Sequence, residues 1–142
     1  MTSTSRPPLQ RILEFGIYVE DVARSIEFYG RVFGLPVLVS NERIGALDVE
    51  GKQVLLIFKI GGSAERVETE QGILPAHDGE GTTHFAFAIG AEDLRAWEAW
   101  LGEQDVEIES KMAWERGGCS VYFRDPDGHL LELVTPGVWA TY

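Results

Sequence analysis

The sequence has one cysteine and no long hydrophobic run. The lone Cys119 excludes a disulfide within the chain. The longest apolar stretches, such as residues 54–58 (VLLIF), are far too short to span a bilayer. The start of the chain, residues 1–8, is polar and contains proline, unlike a signal peptide, so we expect a cytoplasmic protein.

Positive charge is also scarce in this chain. It has 12 Lys and Arg residues against 23 Asp and Glu residues, which gives a net charge of -11. Such a surface repels phosphate backbones and anionic lipid, so we expect neither nucleic-acid nor membrane binding. The apolar content of 44% over 142 residues is sufficient for the core of one ordinary domain.

One pattern of secondary structure occurs twice along the chain. Residues 12–19 and 83–89 both have the composition of β-strands, and an acidic turn and an amphipathic helical pattern follow each. Acidic residues are placed to cap both helices; Asp21 is the candidate cap of the first. Three more strands are predicted in each half, including one at residues 106–109. The predicted order in both halves is strand, helix, strand, strand, strand.

This order predicts an α+β fold and divides the chain into five segments. Residues 61–82 are rich in glycine and charge and show no sustained period, so they are predicted to be a linker. The complete division is a flexible N-terminal tail (1–10), a first module (11–60), the linker (61–82), a second module (83–137) and a C-terminal tail (138–142).

Three residues are candidate metal ligands. Superposing the two repeated strands puts Glu14 on His84, and Glu132 interrupts the apolar run at residues 130–134. One imidazole and two carboxylates supply the donors that bind Zn²⁺, Mn²⁺, Fe²⁺ or Ni²⁺, and leave positions open for substrate. Taken alone, His84 is more often structural and Glu14 could be an exposed strand carboxylate. Glu132 is harder to explain, because a buried carboxylate is costly unless it is paired or binds metal.

Three segments carry a resemblance to a known family. They are residues 18–29 (YVEDVARSIEFY) with FGL at 33–35, residues 74–77 (LPAH) with THFAF at 83–87, and residues 122–133 (YFRDPDGHLLEL). The chain resembles the vicinal oxygen chelate superfamily, which includes glyoxalase I, extradiol dioxygenases, fosfomycin-resistance thiol transferases and bleomycin-resistance proteins. The resemblance covers residues 12–137.

The resemblance implies two tandem βαβββ modules that form an open, cup-shaped mixed sheet around a divalent metal. His84 and Glu132 match the ligand positions of the family. Glu14 stands where many members carry histidine, and the equivalent position in the fourth strand falls at Leu55 or Leu56, neither of which binds metal. Members commonly dimerise, so we expect a homodimer that binds a small-molecule substrate, with the cup built within one chain or across the dimer.

Four residues are predicted to bind substrate. Ser120 and Tyr122 share the strand face that lines the cup in the family, where their hydroxyls could orient a substrate oxygen. Trp114 and Arg116 precede this strand and are predicted to form a rim. The alternatives are a core position for the Tyr122 ring and an ordinary surface loop in place of the rim.

The predicted catalytic residues are Glu14 and Glu132, because either carboxylate could accept a proton if it loosens from the metal. His77 and His129 lie in a loop and a turn, and are expected to be structural or exposed rather than catalytic.

The predicted function is that of a metal-dependent enzyme acting on a small oxygen-bearing substrate, with the metal as a Lewis acid. The extradiol dioxygenases of the family use two histidines and one carboxylate, the inverse of the count here. This favours lyase, isomerase or transferase chemistry over oxygenase chemistry. Two alternatives stay open: a protein that sequesters a drug or metabolite, as in the bleomycin-resistance branch, and a dimer with a vestigial cup.

Overall fold

The computed structural model describes residues 5–142. The predicted N-terminal tail (1–10) therefore lies partly outside the described residues, and residues 5–13 form no helix or strand. In residues 5–142 no helix has the length and apolar character needed to cross a membrane. The elements follow in this order: β1 Glu14–Val19, α1 Val22–Phe33, β2 Val37–Ser40, β3 Ile44–Val49, β4 Gln53–Lys59, β5 Val67–Thr69, β6 Gly72–Leu74, β7 His84–Ala88, α2 Leu94–Glu103, β8 Ser110–Ala113, β9 Cys119–Arg124 and β10 Leu130–Val134.

The strands form two four-stranded mixed sheets and one short hairpin. The first sheet has the order β1-β4-β3-β2, and the second has the order β7-β10-β9-β8. In each sheet the first and last strands of the half pair in parallel, and the remaining pairs are antiparallel. The strand, helix, strand, strand, strand order occurs in both halves, so the predicted α+β fold with tandem βαβββ modules is confirmed.

The first helix begins at the predicted cap, Asp21, and ends at a glycine. The Asp21 side chain accepts a hydrogen bond from the Arg24 backbone N–H at 3.1 Å, which satisfies one of the unpaired donors of the first turn. Gly34 ends the helix with φ 64°, a left-handed conformation that glycine adopts without steric cost. The helix buries one face against the first sheet and the core, formed by Val22, Ser25, Phe28, Tyr29 and Val32.

The second helix begins differently from the first. A 3-10 turn at Ala91–Asp93 precedes α2, and within the described part of the chain the Asp93 side chain makes no capping hydrogen bond. Its backbone (φ -94°, ψ -7°) continues the turn, whereas a capping residue is usually extended. The predicted pair of matched acidic caps is therefore wrong for the second half.

The strand predicted at residues 106–109 is also wrong, because β8 spans Ser110–Ala113. Val106 and Ile108 do pack against the core, as their alternation predicts. Their backbone is held by bonds from the Val106 N–H to the Leu101 carbonyl and from the Glu109 N–H to Tyr122, rather than by a strand ladder. The alternation therefore records which side chains are buried and not which residues pair.

Both sheets turn one face toward a shared hydrophobic core. Phe33, at the end of α1, lies 4.7 Å from Phe87 and 6.0 Å from Phe123 between ring centroids, so the first helix packs on the second sheet. Phe15 of β1 lies 4.6 Å from Phe85 of β7 by the same measure. We call the opposite side of each sheet its open face.

The turn between β9 and β10, residues 125–129 (DPDGH), contains a buried carboxylate that binds the first helix. One oxygen of Asp125 accepts the backbone N–H groups of Asp127 and His129. The other oxygen accepts the Tyr29 hydroxyl at 2.7 Å. Burial, and then the charge of Asp125, raise the pKa of Tyr29 far above its usual range.

The same turn also binds the end of β1. His129 is 1% exposed; its Nδ1 accepts the Thr83 backbone N–H at 3.0 Å, so its Nε2–H donates to the Tyr18 carbonyl at 2.8 Å. The Asp127 carboxylate accepts the Glu20 backbone N–H at 2.9 Å. His129 is therefore structural, and the turn joins the two halves through polar contacts.

Replacing Tyr29 by phenylalanine should lower the free energy of unfolding by about 1.5–3 kcal/mol, because it removes a hydrogen bond to a buried carboxylate. The raised pKa of Tyr29 keeps the phenol neutral in the folded protein, whereas tyrosine in the unfolded chain ionises near pH ~10. The stability due to this shift is therefore complete below about pH 10 and is lost as the pH rises further. Urea denaturation of both proteins across this range measures both effects.

Tyr142→Phe is the matched control for this substitution. Its hydroxyl donates to the Ile89 carbonyl at 3.0 Å, but the residue is 42% exposed, so water can replace the bond. We expect a loss below about 1 kcal/mol. Equal losses in the two variants would contradict the importance of the buried Tyr29–Asp125 bond.

Candidate metal centre

His84 and Glu132 lie side by side on the open face of the second sheet. Strands β7 and β10 pair in parallel, with His84 opposite Leu130 and Ala86 opposite Glu132. This register brings His84 Nε2 to 3.2 Å from Glu132 Oε1. The His84 side chain is 48% exposed and that of Glu132 is 10% exposed. The pair therefore combines an accessible imidazole with a buried carboxylate.

The hydrogen bond made by Nδ1 shows which ring nitrogen of His84 carries the proton. Nδ1 lies 2.8 Å from the Leu130 carbonyl oxygen, which can only accept, so Nδ1 carries the proton. In a neutral ring, Nε2 then directs a lone pair at a carboxylate oxygen 3.2 Å away. Two lone pairs repel each other at this distance. The contact therefore requires either a proton between the two atoms, carried by the ring or by the carboxyl group, or a metal ion held by both.

The carboxylate of Glu132 is held from its other side by two predicted substrate-binding residues. The Ser120 hydroxyl donates to Glu132 Oε2, and the Trp114 indole N–H donates to Ser120 Oγ at 2.8 Å. Ser120 is 1% exposed and Trp114 is half-buried. Both side chains thus contact the carboxylate or its partner, and their predicted contact with substrate stays a prediction.

The other two predicted substrate-binding residues are more accessible. Tyr122 lies opposite Glu132 in the β9–β10 pair, and its ring centroid is 6.2 Å from that of His84. Partial burial, and then the charge of Glu132, raise the pKa of Tyr122 above its usual range. Arg116 is exposed in the turn between β8 and β9. A phenol that stays neutral beside the pair can donate a hydrogen bond at the open face.

Glu14 does not join this pair within one chain. It is exposed at the start of β1 in the first sheet, where it pairs with Val54 of β4. Among residues 5–142, no three His, Cys, Asp or Glu side chains lie close enough together to hold one metal ion. A ligand set that contains Glu14 therefore stays a prediction.

Strand register identifies the first-half equivalent of Glu132. In the second sheet Glu132 lies two residues beyond the partner of His84. By the same count in the first sheet, Leu56 lies two residues beyond the partner of Glu14. Leu55, the other candidate from the sequence, is 0% exposed on the core side. The first half thus offers Glu14 as its one ligand at these paired positions.

The predicted linker contains a hairpin and also covers part of the first open face. His77 Nδ1 lies 2.8 Å from the Tyr18 hydroxyl oxygen, and its ring packs on Phe58 with centroids 4.5 Å apart. A side chain at Gly79 would meet the Tyr18 ring at 2.6 Å, so this contact requires glycine. His77 therefore holds the linker against β1. This contact was not predicted from the sequence, in which Gly79 is its one local signal.

A family model matches most of the chain. Its description is Glyoxalase/Bleomycin resistance protein/Dioxygenase superfamily, and it matches residues 11–133. The chain belongs to this superfamily. The resemblance noted from the sequence is therefore confirmed, and the parallel β1–β4 and β7–β10 pairs describe how this superfamily member builds its two modules.

Two groups of relatives are close enough to compare in detail. Metallothiol transferase FosB of Staphylococcus epidermidis is 35% identical over 118 residues, which cover 82% of this chain and 77% of that protein. The protein of the same name from Bacillus licheniformis is 36% identical over 122 residues, which cover 85% and 72%. Among solved structures, lactoylglutathione lyase from Agrobacterium tumefaciens aligns with a TM-score of 0.85 and 27% identity, over 94% of this chain and 99% of that chain.

The residues present in this superfamily member fit a divalent transition metal. Zn²⁺ and the similar divalent ions Mn²⁺, Fe²⁺ and Ni²⁺ bind imidazole nitrogen and carboxylate oxygen at about 2.0–2.2 Å. Two such bonds at roughly a right angle end about 3 Å apart, which matches the separation of 3.2 Å between His84 Nε2 and Glu132 Oε1. The Nδ1–H bond to the Leu130 carbonyl is the outer contact that orients metal-binding histidines.

Replacing Glu132 by glutamine should lower the pKa of Tyr122 part of the way to its ordinary value. The carboxylate charge disappears, whereas the burial that contributes most to the raised pKa remains. In the wild-type protein the phenol therefore ionises at higher pH than in the variant. NMR titration of the tyrosine ring carbons in metal-free protein, assigned with Tyr122→Phe, measures this difference.

Glu98→Gln serves as the control for charge. Its carboxylate binds Lys111 at 3.2 Å, and it is not among the groups that shift the pKa of Tyr122. The Tyr122 titration should be unchanged in this variant. If both variants shift the pKa of Tyr122 equally, the effect is one of net charge and not of the Glu132 contact.

Proposed function

We propose that this protein is a metal-dependent transferase that adds a thiol to a small oxygen-bearing substrate. The proposed metal ligands are His84 and Glu132 of one chain and Glu14 of a second copy. The observation that carries the proposal is the contact between His84 Nε2 and Glu132 Oε1, which brings two metal donors together with one side chain accessible from solvent. The metallothiol transferases among its relatives favour transferase chemistry.

Exposed apolar surface supports a second copy as the source of Glu14. Ile12 and Leu13, directly before Glu14, are 74% and 54% exposed. Three consecutive residues of edge strand β2, Val37, Leu38 and Val39, are 48–56% exposed. Adjacent apolar side chains at such exposure are typical of a surface that another molecule covers. Strand β2 lies at the opposite edge of the first sheet from β1, so the support for Glu14 comes from Ile12 and Leu13, and a homodimer that covers these two residues would also place Glu14 at the interface.

The proposed chemistry divides between the metal and the residues around it. When bound, a divalent metal supplies a Lewis acid for an oxygen of the substrate. Glu14 is placed in the proposal as the acceptor of the thiol proton, and Tyr122 as a neutral donor to a substrate oxygen. The sulfur–carbon bond forms as a carbon–oxygen bond of the substrate opens, and the thiol proton ends on the released oxygen.

A lyase is the second candidate function. It is favoured by the similarity to lactoylglutathione lyase, which extends over nearly the whole chain. The proposed ligand set of one histidine and two carboxylates serves either reaction, so the residues named here do not choose between them. A sequestering protein without turnover is the remaining alternative.

A mixed-dimer experiment tests the proposed ligand set. Glu14→Ala and Glu132→Ala proteins should each lose most of their bound metal when assayed alone. After subunit exchange, half of the dimers are mixed and each contains one complete site, so metal binding should recover to about a quarter of the wild-type level. Metal content after dialysis, measured by mass spectrometry on folded protein, provides the readout.

Two outcomes oppose this assignment. Wild-type stoichiometry in the Glu14→Ala protein would remove Glu14 from the ligand set. Absence of recovery in confirmed mixed dimers would place the complete site somewhere other than across two chains. Glu98→Ala, which removes a carboxylate bound to Lys111, is the control and should bind metal as the wild type does.

Turnover distinguishes the transferase from its competitors. The metal-loaded protein should join a low-molecular-weight thiol to fosfomycin, the drug handled by one branch of the family, giving a product with the summed mass of both reactants. Glu14→Ala should slow this reaction by about 100-fold or more, since it removes the proposed base and a ligand. Isomerisation of the adduct of a thiol and an α-ketoaldehyde, without reaction of fosfomycin, would favour the lyase. Tight binding of a ligand without any product would favour sequestration.

A further inference from the structure

A chain of side-chain hydrogen bonds runs beneath the candidate metal pair. The Trp114 indole N–H donates to Ser120 Oγ at 2.8 Å, and the Ser120 hydroxyl donates to Glu132 Oε2. Ser120 is 1% exposed and Glu132 is 7% exposed. Water therefore competes little for these hydrogen bonds, so breaking one of them costs more free energy than breaking an exposed hydrogen bond.

The direction of each bond in this chain is determined by chemistry. An indole N–H can only donate, so Ser120 Oγ must accept from Trp114. Serine has one proton, and the neighbouring carboxylate can only accept, so that proton goes to Glu132 Oε2. Ser120 thus has no second proton for a substrate oxygen. Oε2 is occupied by this bond, and Oε1 is left facing His84.

The backbone around Trp114 and Ser120 is positioned by a tight turn. The Trp114 N–H donates to the Gly118 carbonyl at 2.8 Å, and the Gly117 N–H donates back to the Trp114 carbonyl at 2.9 Å. Gly117 has φ 96°, which favours glycine. These bonds close the connection between β8 and β9 and hold the indole over the Ser120 hydroxyl.

We propose that Ser120 and Trp114 are positioning residues that orient the Glu132 carboxylate, so that Oε1 alone is presented to the metal. This inference rests on the proposed function, in which Glu132 is a ligand. It gives both residues a role beneath the site in place of the substrate contact expected from the sequence. It also explains why the buried Ser120 hydroxyl lies next to the Glu132 carboxylate, which is in an otherwise apolar strand.

The first test is Co²⁺ binding to Ser120→Ala, followed by visible absorption. The variant should bind Co²⁺ roughly 10–100-fold more weakly, as is typical when an outer hydrogen bond to a ligand is lost. Its absorption spectrum should change, because the freed Oε2 can also reach the ion. Ser120→Thr keeps the hydroxyl and should restore most of the affinity. Ser110→Ala, an exposed serine opposite Tyr122 in the β8–β9 pair, should bind as the wild type does.

The second test needs no metal and remains valid if a variant binds none. In metal-free protein the NMR signal of the Trp114 indole N–H, assigned with Trp114→Phe, reports the hydrogen bond to Ser120. It should shift in Ser120→Ala, which removes the acceptor of the indole N–H, and in Glu132→Gln, which removes the charged acceptor of the serine hydroxyl. It should not shift in Ser110→Ala.

The two tests separate the inference from the proposed function. Unchanged affinity and spectrum in folded Ser120→Ala, with metal bound to the wild type, would overturn the positioning role alone. Failure of the wild type to bind any divalent metal would overturn the proposed function. In that case an indole signal that responds to Glu132→Gln still supports the orienting chain, and an indole signal that does not respond overturns it.

Discussion

The arrangement of the site depends on one buried carboxylate. Asp125 binds two backbone N–H groups of its own turn and the hydroxyl of Tyr29 in the first helix. This turn fixes the start of β10, and its His129 also accepts the N–H of Thr83, directly before β7. The two strands that carry the candidate ligands are thereby held in register. The turn therefore supports the register of β7 with β10 that brings His84 close to Glu132.

The candidate centre is a pair of donors whose surroundings leave each with one free direction. The Nδ1–H of His84 donates a hydrogen bond to the Leu130 carbonyl, and the Ser120 hydroxyl donates one to Oε2 of Glu132. What remains is a nitrogen lone pair and a carboxyl oxygen that face each other, and a proton or a metal ion can lie between them. The exposed apolar side chains of Ile12 and Leu13, beside Glu14, support the proposal that Glu14 comes from a second chain.

Much of this arrangement could be predicted from residue types and spacing. Glu132 was identifiable because a carboxylate inside an apolar strand is costly without a partner, and it is indeed buried. The strand predicted at residues 106–109 was wrong because alternation reports burial, which Val106 and Ile108 satisfy without pairing. The link from Trp114 through Ser120 to Glu132 had no sequence signal, since the path of a turn decides which hydroxyl proton points where.

The sequence by itself determined the two modules, the first helix with its Asp21 cap and Gly34 end, and the residue types available to bind a metal. These follow from local periodicity and local hydrogen bonding, which need few distant contacts. Only the tertiary structure decided that His84 and Glu132 meet while Glu14 stands apart in the same chain. Side chains far apart in sequence approach one another only through strand register and the packing of one half on the other. No short stretch of residues determines either of these.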